Sequence, residues 1–109
     1  MPTFQDFLQL DIRTGTIVNA QVFKNVLKPA YILKIDFGAL GIKTSSAQIT
    51  KRYQPPDLIG KQIIAVVNFP PKQIANIISD CLVLGVIGKD GDVVLLTSDL
   101  PMENGLKIG

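Results

Sequence analysis

Phe69 and Lys72 bracket Pro70 and Pro71 at the end of an apolar run that begins at Ile63. An aromatic face and an ammonium carried on a rigid exit from a sheet suit a stacking partner with negative charge. The same residues admit a plainer role, in which Phe69 caps the core and the prolines only end a strand. A second polar concentration runs from Lys43 to Tyr53. It offers hydroxyls at Thr44, Ser45, Ser46 and Thr50, the amide of Gln48, and the cations Lys43, Lys51 and Arg52. Such donors suit phosphate oxygens and base edges, or the backbone groups of a peptide. Alternatively, the serines satisfy the backbone at a strand end while the cations are solvated.

Groups able to do covalent chemistry are few. The chain has no histidine, which removes the commonest general base and any histidine-containing zinc site. Cys81 opens an apolar strand with nothing to activate it, so a buried structural thiol is expected rather than a nucleophile. Asp90 and Asp92 flank Gly91 and read as turn residues, not as an acid–base pair. Gly85, Gly88 and Gly91 precede no helix, so they make no phosphate cradle. The sequence therefore points to a binding protein that is not an enzyme, with no cofactor and no metal.

Charge is segregated along the chain. Residues 13–72 carry nine cations against Asp36 and Asp57, a net of +7, inside a chain whose total is only +2. Residues 73–109 carry a net of −3. A block that basic is the footprint of an anionic partner if its lysines converge, and a solvated surface if they scatter. The chain has 109 residues, enough for one domain (1–109), and 47% of them are hydrophobic. Phe4, Phe7, Leu8 and Leu10 at one end, with Leu106 and Ile108 at the other, are more apolar than the termini of a monomer. A homodimer joined through those six residues is expected. No stretch approaches the ~18 apolar residues of a membrane span, so no membrane insertion is expected. The first residues lack the pattern of a secretory signal, and one cysteine fits a reducing, cytoplasmic setting.

The elements that must position these groups are mostly strands. Phe4, Phe7 and Leu8 at helical spacing, with Thr3 as cap, predict an opening helical turn. Ile12 to Phe23 are β-formers whose apolar phase shifts between Ile17 and Val18. With Gly15 just before, that shift predicts a bulge with both neighbours inward, in a long bent strand. Lys24 to Pro29 form a basic loop. Alternation from Tyr31 to Phe37 predicts a half-buried strand, followed by a glycine-flanked turn and a strand from Ile42 to Ala47. Ile49 to Tyr53 suggest one helical turn stopped by Pro55-Pro56.

Residues 63–67 read as a strand buried on both faces, with a short connection to Ser79 after the prolines. Leu82 to Ile87 read as another strand. Asp90-Gly91 turn the chain into Val93 to Leu96, and Asn104-Gly105 turn it again before Leu106 to Ile108. This is an all-β chain of about five strands, one strongly bent, with short helical turns. It fits a closed barrel of the OB type.

Several segments together resemble a known family. They are Asp11-Ile12-Arg13-Thr14-Gly15, Ile35-Asp36-Phe37-Gly38, Ser45-Ser46-Ala47-Gln48-Ile49-Thr50, Tyr53, Leu58-Ile59-Gly60-Lys61, Asn68-Phe69-Pro70-Pro71-Lys72 and Leu82-Val83-Leu84-Gly85. In this order they look like the CsaA-type secretion chaperones. That group lies within the tRNA-binding OB domains, similar to the C-terminal domain of bacterial methionyl-tRNA synthetase. The resemblance spans about Phe7 to Gly109. It implies a homodimeric OB barrel without catalysis that binds tRNA or, in the chaperone branch, unfolded preproteins and the export ATPase. Carried over by position, the binding surface would include Arg13, Ser45, Ser46, Gln48, Asn68, Phe69, Lys72 and Ser79. The residues themselves add Lys43, Lys51 and Arg52.

Three departures separate this chain from the wider group. Its loop reads Lys24-Asn25-Val26-Leu27-Lys28-Pro29 where relatives carry His-Pro. It has Ser46-Ala47-Gln48 in place of Ser-Gly-Leu, and Asp80-Cys81 in place of Glu-Val. The first two point to the chaperone branch.

Overall fold

The computed structural model describes all residues from Met1 to Gly109. A helix α1 (Phe4–Leu8) precedes three strands, β1 (Ile12–Val22), β2 (Tyr31–Asp36) and β3 (Ile42–Ala47). A second short helix α2 (Pro55–Leu58) leads into β4 (Gln62–Val66). The rest of the chain forms β5 (Lys72–Ile74), β6 (Ile77–Ser79), β7 (Leu82–Val83), β8 (Gly85–Ile87) and β9 (Val93–Leu95). Five strands make one antiparallel sheet in the order β3-β2-β1-β4-β7, and β5-β6 and β8-β9 are separate hairpins. The sheet curls until its end strands β3 and β7 meet, giving a nearly closed OB barrel. No helix is long and apolar enough to cross a membrane.

The bend that closes the barrel lies in β1. Its first half pairs with β4 and its second half with β2, and the register with β2 slips between Ile17 and Asn19. A bulge there increases the local twist and turns the strand from one side of the barrel to the other. Val18 is the extra residue and points outward, while Ile17 is fully buried. The expectation that both face inward is corrected: the bulge places two neighbours, Val18 and Asn19, on the outside.

Inside the barrel, Ile17, Leu33, Ile35, Phe37, Leu58 and Ile63 are wholly buried. The opposite face of β1 and β4 buries Ile12, Ile64 and Val66 beneath Leu10, Leu84 and Ile108. Strand β4 is thus covered on both faces, as its unbroken apolar run requires.

Four further expectations change. Pro55 and Pro56 begin α2 instead of ending a helix, because proline presets the first-turn dihedral and lacks an N–H that would have no partner there. Gln54 caps that turn, and the Asp57 carboxylate accepts from the Gln54 N–H. The connection after the prolines is a tight hairpin, with Lys72 opposite Ser79 and Ala75 at a positive φ of 50° at its turn. The strand expected over Leu82 to Ile87 breaks at Leu84. Its N–H donates to the Ile64 carbonyl, and its own carbonyl accepts from Leu96, passing the chain from the barrel to the hairpin. The C-terminal segment forms only a bridge between Arg13 and Lys107. There Thr14 holds it by donating its hydroxyl to the Glu103 carbonyl and accepting from the Leu106 N–H.

Candidate ligand-binding groove

Where β3 and β7 meet, the seam opens into two adjoining cavities. The larger, about 550 Å³, lies between Ser46–Ile49 on one side and Leu82, Val83, Ile87, Val93 and Leu95 on the other. The smaller, about 240 Å³, is bordered by Phe69, Pro70, Lys72, Ile74 and Ser79. Ser46 and Leu82 line both, so the two form one groove along the seam.

Phe69 lies between the end of β4 at Val66 and the two prolines, which cannot donate to a ladder, and it is left 45% exposed on the rim. It does not cap the core. Lys72 begins β5 beside it, with an exposed side chain that forms no ion pair.

The other expected site residues separate into three groups. Ser46, Phe69, Lys72 and Ser79 gather around the smaller cavity, and Gln48 joins Ser46 on the larger. Lys51 and Arg52 stand at the far end, tied to the β8-β9 hairpin. The Lys51 ammonium donates to the Asp90 carbonyl, and Arg52 meets the Asp92 carboxylate at 2.7 Å. That hydrogen bond from Arg52 holds the Asp92 carboxyl below its usual range.

Arg13, Ser45 and Asn68 do not line the groove. Arg13 is held by Asp11 at 2.6 Å and donates to the Gly105 carbonyl at 2.9 Å, so it clasps the C-terminal segment. Asn68 accepts from the Asp11 N–H and donates to the Gln9 carbonyl, tying β4 to the chain before β1. Ser45 is buried inside the barrel. Lys43 is half-buried on β3, and its charge reaches Cys81.

Cys81 is buried beneath the seam, and its thiol lies 3.7 Å from the Thr44 carbonyl. Burial, reinforced by the charge of Asp80, pushes its pKa up to about 12, although Lys43 and a hydrogen bond with Ser45 pull the other way. A thiol of that acidity stays protonated through the neutral range and is no nucleophile.

The apolar wall of the groove was not singled out as a site from sequence. Leu82, Val93 and Leu95 read there as ordinary strand residues. The signal lay in Val86-Ile87, two apolar neighbours on a short strand that cannot both face a core. Ile87 is 77% exposed at the edge of the larger cavity. The arrangement offers an apolar channel with an aromatic, hydroxyls and a free ammonium at one end and tethered cations at the other. Asp80 also borders the smaller cavity, where its carboxylate accepts from the Thr44 N–H.

A family model described as a putative tRNA binding domain matches residues 12–107. The crystal structure of chaperone CsaA from Bacillus anthracis str. Ames shares 58% identity and superposes with a TM-score of 0.95, covering 100% of this chain and 99% of that one. The CsaA chaperone protein from Picrophilus torridus is also 58% identical, with a TM-score of 0.94 and complete coverage of both chains. The methionine–tRNA ligase of Christiangramia forsetii is 31% identical over 107 residues, which is 98% of this chain. This chain spans only 15% of that ligase's length.

Proposed function

The chain belongs to the putative tRNA-binding domain family and is of the CsaA type, and from that premise we propose that it is a non-catalytic, cytoplasmic, export-related chaperone. It captures unfolded preproteins in the groove between β3 and β7, and the export ATPase is the further partner that the resemblance implies. The observation that carries this reading is the groove itself. An apolar channel rimmed by an exposed Phe69 and a free Lys72 suits extended, partly apolar chain better than a sugar–phosphate backbone. A titration with an unfolded preprotein at low and high salt tests it. Saturable binding that persists at high salt is expected, because apolar capture is not screened. Absence of saturable binding overturns it.

One observation favours tRNA as a second ligand, the net charge of +7 over residues 13–72. Binding through phosphates would weaken steeply as salt rises, so the same titration run with tRNA separates the two modes.

The working unit in this proposal is a homodimer. None of the residues of α1 is buried, and Phe4 and Phe7 stack on each other at 6.3 Å with Phe4 69% exposed. A capping box between Thr3 and Asp6 forms the turn, but nothing within the chain covers its apolar side. Leu8 is also exposed, whereas Leu10 and Ile108 already pack on the outer cluster and Leu106 is half-buried. A second copy covering this end would explain the helix. Deletion of residues 1–8 should convert a dimer into a monomer or an aggregate in sedimentation. An intact chain that sediments as a monomer at micromolar concentration contradicts the dimer.

A further inference from the structure

The groove has a property that its apolar lining does not require: one wall is a strand edge whose main chain is incompletely paired. In the register of β2 with β3, Leu33 faces Ser45 and Tyr31 faces Ala47. Just before that register, the Phe37 N–H donates to the Gly41 carbonyl. Antiparallel alternation then turns the main-chain groups of Ser45 and Ala47 toward β2, and those of Thr44, Ser46 and Gln48 toward the seam.

At Thr44 the outward positions are filled. Its carbonyl accepts from the Asp80 N–H at 2.9 Å, and its N–H donates to the Asp80 carboxylate at 2.7 Å. Filling weakens along the strand. The Ser46 N–H has only the Ser79 hydroxyl, and the Ser46 carbonyl only the Ser45 hydroxyl, each at 3.4 Å. The N–H and carbonyl of Gln48 make no hydrogen bond within the chain. Ser46 and Gln48 are the residues of this edge that border the larger cavity. Unpaired strand edges recruit another strand unless they are covered.

We propose that an extended peptide segment adds to this edge as a strand antiparallel to β3. It exchanges main-chain hydrogen bonds with Ser46 and Gln48 while alternate side chains enter the cavity beside Leu82, Val93 and Leu95. This rests on the capture of unfolded chain proposed above and adds its binding mode. Main-chain pairing supplies affinity without reading sequence, and the side-chain pockets add only a preference for apolar residues at every second position. That division suits a protein that must hold many different unfolded chains. A nucleic acid has no run of alternating N–H and carbonyl groups to offer the edge. Lys72, which forms no ion pair, stands at one end of the groove, where it favours an acidic residue flanking the segment.

The test is an N-methyl scan of a short probe, a peptide alternating valine and threonine with glutamate at both ends, titrated against the full chain. Methylating one backbone nitrogen removes one donor and leaves the side chains unchanged. Two or more positions spaced two apart should each lose about tenfold in affinity, with the position between them tolerant. Binding that is equally strong whichever nitrogen is methylated, or that declines evenly at all of them, overturns strand addition while leaving apolar capture intact. Failure of both the probe and an unfolded preprotein to bind defeats the capture reading and strand addition with it. A groove that takes tRNA but not the probe overturns strand addition.

Discussion

Gly15→Ala should destabilise the fold by about 3 kcal/mol, the upper end of the usual range for overpacking. A Cβ at Gly15 would lie 2.7 Å from both the Ile35 methyl and the Phe37 ring. Both of those side chains are fully buried, so neither can retreat into solvent. The backbone cannot withdraw either, because Gly15 pairs with Ile63 and the next residue, Thr16, pairs with Asp36. The gain from removing a glycine's conformational freedom, about 0.5–1 kcal/mol, is too small to offset the clash. Urea unfolding of Gly15→Ala, Phe37→Leu and the double variant checks the cause. If the ring is the obstacle, the double variant is more stable than the two separate losses imply. Strictly additive losses would contradict it.

Phe69→Ala should weaken ligand capture by roughly 5- to 150-fold, the effect of losing about 1–3 kcal/mol of stacking or apolar packing. Phe69 makes no side-chain hydrogen bond and is already 45% exposed, so folding stability should barely change. Replacing Lys51 and Arg52 together by alanine should act differently. Their cationic groups are engaged by the Asp90 carbonyl and the Asp92 carboxylate, so an anionic ligand must compete with those contacts. tRNA binding should weaken about equally across sequences, and its salt dependence should flatten by at most about two phosphate contacts. Preprotein binding should hardly respond to the charge pair. The reverse ranking, with the cations mattering more than the ring for a preprotein, would move the binding surface away from the groove.

Much of the barrel was legible because its strands obey strong local rules. The alternation of Tyr31 to Phe37 marked β2, the unbroken run 63–67 marked a strand covered on both faces, and Asp90-Gly91 marked the β8-β9 turn. The bend in β1 was visible from its phase shift, although the outward direction of Val18 depends on pairing with β2. The β5-β6 hairpin carries no sequence signal because its strands have only three residues each, too few to show a period. The prolines before α2 were ambiguous, since proline both ends one helix and begins another.

For the site, Phe69, Lys72, Ser46 and Gln48 stand out by their types and Ser79 only through the resemblance, and all five border the groove. The engagement of Arg52 by Asp92, some forty positions away, is a tertiary fact without a local signal. The same is true of Arg13 and Asn68, whose polar groups are taken up in holding the chain ends. Leu82, Val93 and Leu95 looked like core because an apolar residue on a strand carries no mark of which side will stay open.

Capture in the seam is most directly tested by following backbone amide resonances as an unfolded preprotein is added. The account predicts shifts concentrated at Ser46, Gln48, Phe69, Leu82 and Ile87, with the Ser46 and Gln48 amides moving most. Shifts confined to Arg13, Asn68 and the terminal segments, with the seam unmoved, would contradict it.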